Sequence, residues 1–185
     1  MFYFLLPLSI GFVCNLGSAF TAVFSQRWGE RRGSMISVLL RNILGIPVWA
    51  IGFFLAVLTS SPKLFTPTLV TTLLGWLLIV IGGVIILTAL FTIRFRSIKP
   101  SIQDSLAESG IYARVRHPIH TGTLLEFIGL VIVIPTLTVA VACGVGVAWV
   151  FVQTWFEEVD LLQRMENYRE YKNAVPRFFP RIRMK

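Results

Sequence analysis

Apolar residues fall into five long stretches separated by short polar breaks: Phe2 to Phe24, Ile36 to Leu58, Leu69 to Ile93, Ile119 to Ile134 and Thr136 to Phe156. Crossing about 30 Å of hydrocarbon takes roughly 20 apolar residues in a helix, so the pattern predicts an all-α integral membrane protein with five transmembrane helices. The fourth stretch reaches Pro135 early, and the last two stretches therefore read as a tight helical hairpin. Pro47 sits mid-stretch and predicts a kink in the second helix. The first stretch has no basic lead-in and no small-residue cleavage site, so it reads as a retained helix. Beyond Phe156, EEVDLLQRMENYREYKNA places Leu161, Leu162, Met165 and Tyr168 at three- and four-residue steps, the signature of an amphipathic helix. The following VPRFFPRI ends that helix and suits a lid packed back over the membrane surface.

Composition supports this reading. The chain is 55% hydrophobic and 14% charged, against about 25% charged in soluble domains. Its net charge of +8 does not imply nucleic acid, because all but Arg41 and Lys63 of the 17 Lys and Arg residues lie in the first loop, the third loop or the C-terminal tail. With five spans those segments share one face. The positive-inside rule makes that face cytoplasmic, with the N-terminus outside and the C-terminus inside. Attraction to anionic headgroups accounts for the basic excess, so membrane lipids are the expected surroundings. Residues 1–68 read as a two-helix scaffold and residues 69–185 as the core that carries chemistry. Cys14 and Cys143 both fall in apolar stretches, and no disulfide framework or metal-binding cysteine pattern exists. Gly75, Gly82 and Gly83, and later Gly144 and Gly146, are expected at helix-packing faces.

Titratable groups gather where hydrocarbon begins. Tyr112, Arg114, Arg116 and His117 precede the fourth stretch, Glu126 lies inside it, and Glu157-Glu158 closes the fifth. Charged groups at such positions are costly unless paired or hydrated, so a site is expected. Glu126 and Arg41 lie at similar depth from one face and are candidates to pair. Adjacent acids point about 100° apart on a helix, so at most one of Glu157 and Glu158 faces a given pocket.

The run GIY…RHP…G…LLEFIG, then EE..LL, then Y..Y…VPRFFP, resembles the isoprenylcysteine carboxyl methyltransferase family and its short prokaryotic five-span relatives. The resemblance covers roughly Leu73 to Ile182. It implies an S-adenosylmethionine-dependent methyltransferase that binds its cofactor without a Rossmann sheet, in a prokaryotic cell membrane. By match it carries over Gly110, Tyr112, Arg116, His117, Pro118 and Gly122, with Glu126 in the place of an acid of the family's helix. Glu157, Glu158 and Leu161 match the second motif, and Tyr168, Tyr171, Arg177, Phe179 and Pro180 the third. His120 stands where the family has tyrosine, a Phe-Gly pair is missing near Met165 to Asn167, and no tryptophan precedes the first motif.

The resemblance makes Arg116, His117, Glu126 and Glu158 the candidates for chemistry. It makes Gly110, Tyr112, His117, Pro118, His120, Gly122, Glu157, Glu158, Tyr171, Arg177, Phe179 and Pro180 the candidates for holding the cofactor, with no metal. Arg116 or Arg177 suits the cofactor's carboxylate, and Glu157 or Glu158 its ammonium or ribose hydroxyls. The expected acceptor is lipophilic, a carboxylate or an amine taken from the bilayer. Two other functions fit the same pattern: a nicotinamide-dependent membrane reductase of the sterol type, and a non-catalytic membrane assembly or transport factor. The oligomeric state is left open.

Overall fold

The structure, a computed structural model, describes residues 2–94 and 105–181. Arg96, Lys99, Arg183 and Lys185, counted above among the basic residues, lie outside the described residues, as does most of the lead-in to the first motif. The helices are α1 (Leu5–Gly17), α2 (Thr21–Trp28), α3 (Glu30–Val38), α4 (Ile46–Leu58), α5 (Leu69–Thr92), α6 (Pro118–Val133), α7 (Leu137–Arg164) and α8 (Tyr168–Ala174). A π-helical segment, Leu39–Gly45, joins α3 to α4, and a 3-10 turn, Gly110–Ala113, precedes α6. The all-helical class is as expected.

Among the described residues, three helical stretches are long and apolar enough to cross a membrane: Glu30–Leu58, Leu69–Thr92 and Leu137–Gln163. A fourth crossing exists if α1 and α2, bent by 61°, are taken together. At the break in the first apolar window, polar groups near and far in sequence take hydrogen bonds. The Ala22 backbone N–H donates to Asp160 Oδ1 at 3.0 Å, Thr21 and Ser37 share a hydrogen bond of 3.0 Å, and Ser18 Oγ donates back to Asn15 O at 2.5 Å. Asp160→Ala is therefore expected to lower stability by about 1.5–3 kcal/mol, the usual range for a buried hydrogen bond to a charged group. Thermal unfolding in detergent checks this, with Asp160→Asn losing less.

Pro118 and Pro135 limit α6 to 16 residues. The first takes the N1 position, where a missing N–H costs nothing, and the second cannot continue a helix. Near Pro47 the helix runs through from Glu30 to Leu58. Just before Pro47 there is one widened turn, with the Ile46 N–H reaching Arg41 O five residues back. That turn spaces the backbone around the missing donor of Pro47.

Helices α5 and α6 run antiparallel in close contact, and glycine makes this possible. A Cβ added at Gly122 would lie 2.5 Å from Gly82 O, and one at Gly129 would lie 2.6 Å from Gly75 O. Such small-residue faces let helix backbones approach within a membrane. Gly146 meets the Phe127 ring, whereas Gly144, also expected to pack, has nothing within 4 Å. An aromatic cluster ties the first half of the chain to the second. Phe12 stacks on Trp149 at 4.6 Å between centroids, Trp49 meets Phe53 edge-on at 5.8 Å, and Phe53 stacks on Phe127 at 5.2 Å.

One end of the bundle is closed by backbone bonds between the loop after α4 and the turn joining α6 to α7. Leu64 N donates to Pro135 O at 2.7 Å, and Leu137 N donates to Pro62 O at 2.9 Å. At the other end α7 runs past Glu157 and Glu158 to Arg164. Helix α8 then folds back, burying Tyr168, Tyr171 and Val175 against Leu161, Met165 and Leu106. The polar residues collect at this second end.

Candidate functional site

Glu158 is the hub of that end. Its side chain is 1% exposed, and every neighbour at its oxygens is a donor. Arg177 forks onto it, Nε to Oε1 at 3.0 Å and Nη2 to Oε2 at 2.7 Å. Arg116 Nη2 reaches Oε1 at 3.0 Å, Lys172 Nζ lies 3.0 Å from Oε2, and His117 Nε2 lies 3.2 Å from Oε1. Arg116 Nη1 also donates to the carbonyls of Lys172 and Val175. Arg116 and Arg177 are thus committed to holding the C-terminal segment against the start of α6.

The VPRFFP segment is a strap. The backbone N–H groups of Arg116 and His117 donate to Pro176 O and Arg177 O at 2.9 and 3.0 Å, and Thr121 Oγ1 donates to Phe178 O at 2.8 Å. Phe178 is the buried aromatic, set edge-on to Phe151, while Phe179 is 66% exposed and Pro180 is exposed as well. The strap orders Arg116 and His117 from behind and does not line the cavity in front of them.

That cavity measures about 200 Å³. Tyr112, Arg116, His117, Pro118, His120, Glu157 and Tyr171 of the expected residues line it, together with Arg41, Gln153, Asp160 and Tyr168. Ser18, Ala19 and Thr21 complete one wall, so the N-terminal helices take part in the site. Glu157 faces the cavity and Glu158 faces the strap, as the 100° step between neighbours on a helix requires. Gln153 Nε2 holds Glu157 Oε1 at 2.9 Å. Glu157 Oε2 lies 3.6 Å from His117 Nδ1 and 3.9 Å from His120 Nδ1.

The remaining expected residues sit elsewhere. Gly110, at a φ of +61°, starts the 3-10 turn that presents Tyr112. Gly122 is a packing contact on α5. Glu126 lies along Gly82 and Gly83 of α5 and does not border the cavity. Arg41 is at the cavity, and no ion pair joins it to Glu126 among the described residues. Equal depth does not imply equal azimuth: Arg41 projects from the widened turn while Glu126 lies against the α5 glycines.

The electrostatics follow from this geometry. Burial disfavours a charge on His117, but the close Glu157 carboxylate and the hydrogen bond to Glu158, with the charges of both, outweigh that and raise its pKa above 6.5. The spot therefore attracts positive charge. Burial, then the Glu157 charge, pushes the Tyr112 hydroxyl up, and burial raises Tyr171 to about 12, so both remain neutral donors. The hydrogen bond to Glu158 raises Arg177 further.

Gln153 and Asp160 were absent from the expected set, whereas Tyr168 was matched to the third motif. A signal for both was present: Gln153, Glu157 and Asp160 recur at steps of four and three residues in an otherwise apolar stretch, one polar face of a helix.

No curated protein and no solved structure matches this chain. The sequence matches the phospholipid methyltransferase family over residues 70–169, more than half of the chain, from α5 to the start of α8. The match takes in the strap's partner residues and the cavity-lining face of α7. The chain thus belongs to the phospholipid methyltransferase family, membrane methyltransferases related to the isoprenylcysteine carboxyl methyltransferases.

Proposed function

We propose that the protein transfers a methyl group from S-adenosylmethionine to a lipophilic acceptor, a carboxylate or an amine, taken from the bilayer. One observation carries the reading: two polar segments of the family-matched stretch, around Tyr112 to His120 and Gln153 to Tyr168, converge on a single cavity that Arg41 and the Ser18 to Thr21 segment close. Two buried polar atoms there, Gln153 Oε1 and Tyr168 Oη, have no hydrogen-bond partner among the described residues. Unpaired buried acceptors and donors cost free energy, and a ligand with ammonium and hydroxyl groups relieves that cost. At about 200 Å³ the cavity is below the roughly 300 Å³ of the smaller ligand clefts, so a nucleoside-sized donor requires it to widen.

When bound, S-adenosylmethionine supplies a methyl carbon on a cationic sulfur; that bond breaks, leaving its electron pair on sulfur, as the acceptor's lone pair forms the new one. The residues around it align the two partners in a dry site. Glu157 takes the ammonium or the ribose hydroxyls. The rings of Tyr112, Tyr168 and Tyr171 favour a cation by about 0.5–2 kcal/mol. Arg116 and Arg177 are spent on Glu158, so Arg41 takes the carboxylate. A carboxylate acceptor needs no base, whereas an amine must lose a proton first, and His117 or Glu157 accepts it.

In the bilayer, α6 spans about 24 Å at 1.5 Å per residue. Counted as a short crossing paired with α5, it brings the total to five. The site then faces the cytoplasm and the N-terminus lies outside.

Calorimetry with S-adenosylhomocysteine tests the binding step. Purified protein is expected to bind it, with affinity at least about tenfold weaker in Arg41→Ala and in Glu157→Ala. Absence of binding to the unaltered protein would overturn the proposal.

A further inference from the structure

Beyond the roles given to Glu157 and His117 in methyl transfer, the two imidazoles and the carboxylate lining the cavity form a cluster with the spacing of metal ligands. His117 and His120 stand three residues apart at the first turn of α6, and neighbours at that step share a helix face. Glu157 reaches them from α7. Their ligand atoms all lie within 4.8 Å of one another. Glu157 Oε2 is the common point, 3.6 Å from His117 Nδ1 and 3.9 Å from His120 Nδ1. Around an ion held at 2.0–2.1 Å in tetrahedral geometry, ligand atoms stand about 3.3–3.4 Å apart. The two Glu157 edges need to shorten by about 0.2–0.6 Å, and the edge between the imidazole nitrogens, at most 4.8 Å, by up to about 1.5 Å, which turning the rings about their side-chain bonds supplies.

The groups behind these ligands are arranged as a metal site needs. His117 turns its other nitrogen, Nε2, to Glu158 Oε1 at 3.2 Å, the carboxylate–histidine pairing that fixes a ligating ring and raises its basicity. Glu158 is in turn fixed by Arg116, Lys172 and Arg177, so it serves as support and not as a fourth ligand. Gln153 Nε2 ties down the other oxygen of Glu157 at 2.9 Å, leaving Oε2 directed at the two rings. The fourth position opens into the cavity, where water or a ligand atom can complete the shell. Arg41 and Arg116 border the same cavity and oppose a cation, so the affinity falls short of that of a closed structural site.

From this we infer that His117, His120 and Glu157 form a binding site for a divalent transition-metal ion of the zinc type, open on its cavity side. Two imidazole nitrogens and one carboxylate oxygen suit zinc, cobalt or nickel better than the oxygen-seeking magnesium or calcium. The ion takes the place of a proton on His117 Nδ1, as metal binding to histidine generally does. The site lies in the methyl-donor cavity of the preceding section, yet its existence does not depend on that reading.

Cobalt is the probe, because Co²⁺ in a four- or five-coordinate nitrogen–oxygen site absorbs visibly and free aqueous Co²⁺ absorbs weakly. Tag-free, chelator-treated full-length protein in detergent is titrated with Co²⁺. One equivalent is expected to bind with the visible band, and added Zn²⁺ should remove it. His120→Phe keeps a flat ring and should weaken binding at least about tenfold while helical content by circular dichroism stays unchanged. The Cys14→Ser, Cys143→Ser double variant should bind as the unaltered protein does. No band, or a band unchanged by His120→Phe, or a band lost in the cysteine variant, would overturn the inference. S-adenosylhomocysteine calorimetry on the same chelated sample separates the two ideas: binding there without a cobalt band rejects the metal site alone, and a cobalt band without such binding rejects the donor reading alone.

Discussion

Glu158→Ala is expected to destabilise the protein by about 3–5 kcal/mol, the usual cost of removing one partner from a buried ion pair. For a chain of this size that corresponds to a Tm lower by about 6–20 °C. The reason is the crowd of donors around it: Arg116, Lys172, Arg177 and His117 all direct N–H groups at two oxygens that are 1% exposed. Without the carboxylate, the buried Arg116 and His117 face the half-exposed Lys172 and Arg177 with no counter-charge between them, and the strap loses its anchor. Glu157→Ala, one residue away, should behave in the opposite manner. Its carboxylate is more exposed and holds only Gln153 and the two imidazoles, so stability should change by less than about 1 kcal/mol while ligand affinity falls. Thermal unfolding in detergent and S-adenosylhomocysteine binding, measured on both variants, check the contrast. Equal stability losses would show that Glu158 is not the structural hub.

Gly122→Val should be nearly as damaging, for a different reason. A Cβ there meets Gly82 O at 2.5 Å and the Ile86 side chain at 2.6 Å. A side chain can swing away, but a helix carbonyl cannot without moving its helix. Overpacking of this kind costs about 1–3 kcal/mol, and here the upper end applies because backbone must yield. Moving α6 away from α5 also shifts Pro118, His117 and His120 at its first turn, so ligand binding should be lost together with stability. Gly144→Val, on α7, serves as the control: nothing lies within 4 Å of the position, and neither property should change. A tolerated Gly122→Val would mean that α5 and α6 are not in backbone contact.

Much of this was legible along the chain because it follows from local rules. Apolar stretches give helices, and polar groups at their ends give a site at one end of the bundle. The 100° step along α7 separates Glu157 from Glu158 before any contact is known. What was not legible depends on partners far away in sequence. After the bend that follows α1, the Ala22 amide donates to Asp160, 138 residues away, a partner that no local pattern announces. Gly122, expected to hold cofactor, is instead the contact that brings α6 onto α5. The pairing expected for Arg41 and Glu126 rested on depth alone. The widened turn before Pro47 rotates Arg41 to the cavity, and no spacing rule for a regular helix predicts that. In the strap, two adjacent phenylalanines look equivalent in sequence, yet the carbonyl bond from Thr121 to Phe178 turns that residue inward and leaves Phe179 outside.

The most direct test of the proposed function is label transfer. Membranes containing the protein are incubated with methyl-labelled S-adenosylmethionine, and the organic extract is counted. Label should enter an extractable lipophilic product with the unaltered protein and fall to background with Glu157→Ala, whose fold is retained. Extracts that remain unlabelled, or that carry the same label with Glu157→Ala, would contradict the assignment of this cavity to methyl transfer.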